Sequence, residues 1–354
     1  MRFTSLLAMA LLAAGFAAAG GAAAPRARNG FSAAEETPNP ALLVLEKEDG
    51  TLAIVDPATL QVVARVPVGR DPHEVAVSED GKTAYASNYS FFGSVGPGRT
   101  IAVVDLVAQK PLPPVELSPL LAPHGLDFAG GELYFTAEGS KAIGRYNPAT
   151  KKIDWVMGTG QDRTHMVRAL FNPEVILTTN VSSGTVSIFE PPPTRPPGRE
   201  LPVTRPDWSV TVVPVTTGSE GFDVTPDRQM WVADADDGTI SIIDIARKKV
   251  VATITDQVKH ANRLQFTRDA KYALVSDLMS NDLTVMDVAT RGVFKKIPLG
   301  SPSEGILIAP DGKRAFVALG PGNAVAVIDL ATWTVAAKIQ TGHGPDGMAW
   351  AVRR

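Results

Sequence analysis

EGFDVTPDRQMWVADADDGTISIIDIARKKVVATI (220–254), NRLQFTRDAKYALVSDLMSNDLTVMDVATRGVFKKI (262–297) and EGILIAPDGKRAFVALGPGNAVAVIDLATWTVAAKI (304–339) are three copies of one unit, starting 42 residues apart. Looser copies begin at His73, His124 and His165. Within each unit apolar residues alternate, as in Phe222/Val224 and Ile306/Ile308, which is the period of a strand with one buried face. A turn follows, as at Pro310-Asp311-Gly312, where Asp and Gly supply the turn chemistry. Second, third and fourth strands then read as MWVAD, TISIID and VVATI. Four strands per unit at a period in the low forties is the pattern of propeller blades.

The two ends of the array settle the blade count. Ala41 to Val68 holds strands two to four of a unit and lacks the first, while Asp346-Gly347-Met348-Ala349-Trp350-Ala351 is an isolated first strand. Joined, they complete a seventh blade and remove the open sheet edges of a linear array. The expected fold is all-β: a seven-bladed β-propeller over 40–354, closed by pairing the N- and C-terminal strands. The degenerate unit at His165 is the place where a blade could be miscounted.

Ahead of the repeats, Arg2 and the apolar run Leu6–Ala19, followed by small residues, read as a signal peptide over 1–24. Polar, Pro-containing residues make a flexible lead-in over 25–39. A periplasmic or secreted protein follows, with no membrane attachment after cleavage. The 354 residues include no cysteine, which excludes disulfides, thiolate metal sites and Cys nucleophiles. With 34 basic and 37 acidic residues and no Lys/Arg run, nucleic acid is excluded as a partner, and a monomer is expected.

SEDGKTAYASN (78–88), PDGKRAFVAL (310–319) and SIIDIARKKVVATI (241–254) resemble the repeats of the YVTN-type (YncE-like) β-propeller family, over nearly all of the mature chain. The resemblance implies the fold and leaves function open, because propellers host unrelated activities.

Function is sought where the repeat departs from its own grammar. The residue before each first strand is, in order, His73, His124, His165, Glu220, Asn262, Glu304 and Asp346, with His260 two residues upstream of Asn262. First strands line the channel, so these residues are expected to ring its mouth. His73, His124, His165 and His260 are the candidate metal ligands, for one divalent transition metal (copper, zinc or iron). Glu220, Asn262, Glu304 and Asp346 are candidates for binding a small ligand, as are Arg168 and Arg263 deeper in their strands. The competing reading is that these polar groups only hold loops, and that Arg168, Arg263, Asp127 and Asp223 form salt bridges between blades. No residue is singled out as catalytic.

Asp56, Asp105, Asp287 and Asp329, closing third strands, read as turn residues. Phe91–Arg99 and the Pro/Arg-rich Glu190–Trp208 are insertions, docking elements or tolerated loops. Three function classes stay open. The first is a binding propeller with a ligand or metal at the channel mouth. The second is a metal-dependent lactonase or hydrolase, or a copper-type oxidoreductase, at the same place. The third is an interaction scaffold with an envelope protein partner. Propeller lactonases have carboxylate- and Asn-rich metal ligands where this ring is His-rich, and the seven hub histidines of nitrous-oxide-reductase-like copper sites are absent.

Overall fold

The computed structural model describes residues 36–90, 96–172, 174–192 and 207–354. The segment read as a signal peptide, the start of the expected lead-in and parts of both insertions lie outside the described residues. Seven four-stranded antiparallel sheets follow in chain order. Blade 1 is the composite one: its first strand, Pro345–Ala351, pairs with Ala41–Glu46 through Leu42↔Trp350, Leu43↔Ala349 and Val44↔Met348. The degenerate unit is a complete blade 4, from Thr164–Leu170 to Ser209–Pro214.

The first strands pack on one another all the way round, each against the next and blade 7 against blade 1, so the ring is closed. Second strands are buried on both faces. Leu43 and Leu45 of blade 1 pack towards Val75 and Ala84 of blade 2, while Leu42 and Val44 pack towards Phe316 and Val325 of blade 7. Alternation of side chains along a strand therefore serves two interblade cores at once. The expected turn residues behave as such: Asp56, Asp105, Asp287 and Asp329 accept backbone N–H groups two or three residues ahead. Of the lead-in, residues 36–39 lie against the ring. Thr37 is buried; its carbonyl accepts from Arg353 Nη2 (2.6 Å), and Gln109 Nε2 donates to its hydroxyl (3.1 Å).

Six of the seven first strands carry a bulge at the mouth-facing end, for example between Pro72 and Val75 and between Pro123 and Leu126, whereas the short first strand of blade 7, Ile306–Ile308, pairs without one. A bulge re-aims side chains, and here it sits on the residues singled out in the sequence. Directly after them come Glu74, Gly125, Met166, Gly221, Arg263, Gly305 and Gly347. Four are glycine because the next blade's backbone passes too close. A Cβ on Gly305 would lie 2.2 Å from the Asp346 carbonyl oxygen, and one on Gly347 2.2 Å from that of His73.

Candidate functional site at the channel mouth

The register brings most of the proposed residues together. His73, His124, His165, Glu220, Asn262, Arg263, Glu304 and Asp346 line one cavity of about 140 Å³ at the channel mouth, joined by Lys47, Tyr89 and Arg163. Two proposed residues stand apart. His260 does not line the cavity; its Nδ1 lies 2.7 Å from the Ala235 carbonyl oxygen, a loop contact. Arg168 lies in the groove of Asp223 and Phe266, where it pairs with Asp223 of the neighbouring blade. Asp223 also accepts from Phe266 N (2.9 Å), and Asp127 accepts from Ala169 N (2.7 Å). These deeper residues clamp blade to blade.

Three imidazoles from consecutive blades cluster at the mouth, His124 and His165 stacked and His73 tilted against His124. The His73 and His124 ring centroids are 5.1 Å apart, and those of His124 and His165 are 3.7 Å apart. Tyr89 meets both His73 and His124 edge-on. His165 is held from both sides: Nδ1 bonds Glu138, and Nε2 lies 2.6 Å from Glu220 Oε2 at an angle outside hydrogen-bond geometry. Burial opposes the charged ring, but the carboxylates of Glu220 and Glu138 outweigh it and raise its pKa to about 9. Glu220 is reciprocally held at about 2, its burial overcome by His165, Arg263 and Arg163. His124 is the opposite case. Burial, with His165 and His73 beside it, keeps it neutral, and its buried Nδ1 has no hydrogen-bond partner.

His124, Glu138 and His165 each offer a ligand atom within 4.8 Å of the others, so the group could hold a metal ion. Two imidazoles and a carboxylate suit zinc, iron or copper.

Across the mouth, Lys47 pairs with Glu304 and lies 3.2 Å from Asp346. Burial and Asp346 lift the Glu304 carboxyl to about 7, against the pull of Lys47. The floor is closed by Arg263, whose Nη2 donates to Glu74 Oε1 (2.8 Å), the two reaching across the channel from blades 6 and 2. Arg263 Nη1 donates to Glu220 (3.3 Å). The cavity is a shallow polar cup above this pair.

Lys47, Glu74, Tyr89, Glu138 and Arg163 were not foreseen from the sequence. Three share a repeat position: the residue after each second strand is Lys47, Tyr89 and Glu138 in blades 1 to 3, but Val181, Ala235, Leu278 and Gly320 in blades 4 to 7. Polar residues at that position in blades 1 to 3, two of which also carry the mouth histidines His73 and His124, were a readable signal.

No family model matches the chain, and no curated protein sequence matches it. Solved structures do. A protein of unknown function from Desulfotomaculum acetoxidans aligns over 90% of this chain and 100% of its own at 12% identity and a TM-score of 0.71. A Bacteroides fragilis protein described as a candidate 6-phosphogluconolactonase aligns over 90% and 99% at 15% identity and 0.67. The dihydro-haem d1 dehydrogenase NirN aligns over 91% of this chain and 77% of its own at 14% identity and 0.59. At these identities the likeness is one of fold.

Proposed function

We propose that the protein is an exported propeller of the YVTN type that binds one divalent transition metal at its channel mouth through His124, Glu138 and His165. The observation that carries this is the buried, partnerless Nδ1 of His124 beside the His165–Glu138 pair. An interior polar atom without a partner costs stability, and a bound cation on that ring would account for it. Metal entry requires His165 to give up its proton, with coordination replacing its ion contact to Glu138. The cup beside the group leaves room for water or a small ligand on the metal, the arrangement of open rather than closed sites. Export rests on the N-terminal apolar segment, and mass spectrometry of the periplasmic fraction should find a chain beginning near residue 25.

The decisive measurement is metal content. Protein purified without a His-tag and dialysed against micromolar zinc, copper or iron should retain about one ion per chain. His124→Phe keeps a ring in the stack, removes both nitrogens and should lose the ion while keeping the thermal transition. A parent protein that retains no ion from any of the three solutions sinks the reading.

A further inference from the structure

The charges around the cup are unevenly matched. Lys47 is engaged by Glu304 and Asp346, Arg263 by Glu74 and Glu220, and His165 by Glu138 and Glu220. Arg163 differs. Its nearest carboxylate oxygens are 3.7 Å away at Glu138 and 4.0 Å away at Glu220, both beyond hydrogen-bond reach. Its Nε is buried with no hydrogen-bond partner, although the guanidinium also meets Tyr89. Its side chain keeps 32% of its surface exposed while lining the cup. It is the cation of the mouth least committed to the protein's own anions, and a guanidinium is shaped to take a carboxylate.

His73 supplies a complementary group. Its Nδ1 lies 3.0 Å from the Asp71 carbonyl oxygen, which can only accept, so the proton sits on Nδ1. Nε2 is then a lone-pair acceptor on a residue that lines the same cup, two blades from Arg163 with His124 between. The cavity volume of about 140 Å³ is room for a few heavy atoms.

We propose that the cup binds a two- or three-carbon hydroxycarboxylate, its carboxylate held by Arg163 and its hydroxyl donating to His73. The inference rests on the metal reading only in that the carboxylate would also reach the ion held by His124, Glu138 and His165. The contacts to Arg163 and His73 are independent of it.

Calorimetric titration with glycolate, acetate and ethane-1,2-diol tests this on the full chain, zinc-loaded and metal-free, with bound metal counted separately. Glycolate should bind about ten-fold more tightly than acetate, the value of one added hydrogen bond, and the diol should not bind. His73→Phe should reduce glycolate to the level of acetate and leave acetate unchanged. Arg163→Met should abolish both. Equal binding of acetate and glycolate by the parent would reduce the site to a general anion contact and overturn the proposal, as would binding of neither. Those comparisons need no variant to fold. Zinc retained without acid binding sinks this inference and spares the metal site. Acid binding by a protein that holds no metal does the reverse.

Discussion

Asp234 is a buried carboxylate outside the mouth whose environment favours the neutral form. It closes the second strand of blade 5, where Asn180 closes that of blade 4. The surroundings repeat: Asn180 Nδ2 donates to Thr185 Oγ1 (3.0 Å) and Ser187 Oγ (2.9 Å). Five and seven residues beyond Asp234, Thr239 Oγ1 (3.1 Å) and Ser241 Oγ (2.9 Å) donate to Oδ2, and Oδ1 has no partner. Burial outweighs these hydroxyl contacts and raises its pKa from 3.8 to about 7. A raised carboxyl pKa means the folded chain holds the proton more tightly than the unfolded chain. Stability from this group is therefore fully kept below pH 4 and lost as pH rises to 7. At about 1.4 kcal/mol per pKa unit the loss amounts to a few kcal/mol. Asp234→Asn keeps the shape and can serve the same hydroxyls, as Asn180 does. The variant should match the parent at pH 4 and exceed it by a few kcal/mol at pH 8 in urea denaturation. A difference that does not change with pH would show that the carboxyl is not neutral in the fold.

At the scale of the strand, the start of each first strand, bulged in blades 1 to 6, sets both the channel and the cup. Gly347 has no room for a side chain, since its Cβ would meet the carbonyl oxygen of His73. Backbone cannot swing aside as a flexible side chain can. Gly347→Ala should therefore cost about 1–3 kcal/mol or more, the usual penalty for forcing extra volume into packed structure, read as a lower urea midpoint. It should also disturb ligand binding at His73. An unchanged midpoint would mean that the first strands of blades 1 and 2 are not so closely packed. The same feature marks the limit of what the sequence disclosed. Blade number, strand order and the composite blade were legible because the repeat is strict and period-2 alternation survives in every unit. The mouth register was legible too, since His73, His124, His165, Glu220, Asn262, Glu304 and Asp346 all occupy one repeat position. Depth along the strand was read too coarsely: Arg263 directly follows Asn262 and reaches the cup, whereas Arg168, three residues past His165, is bound to Asp223. The reach of long side chains across the channel, such as Arg263 to Glu74, was not legible, because nothing local to either strand encodes it.

For the molecule as a whole, the ring exists only while Pro345–Ala351 occupies the edge of Ala41–Glu46. That partner strand is buried along its entire length. The closing strand also ties blade 1 to its neighbours: Trp350 packs on Phe316 and donates through Nε1 to the Ile308 carbonyl of blade 7 (2.9 Å). It also brings Asp346 to Lys47 in the cup. Removing residues 345–354 exposes a long apolar edge, the configuration most prone to pairing with another chain. The shortened protein should lose its single sharp thermal transition and elute as oligomers, and it should bind neither metal nor hydroxycarboxylate. A peptide spanning 345–354, added in trans, should restore the monomer and binding together, because both depend on the same strand. A shortened protein that stays monomeric and unfolds cooperatively would mean that packing between first strands closes the ring without the shared blade. Recovery of the monomer without recovery of binding would separate fold from site, and would place the site's dependence on more than the position of Asp346.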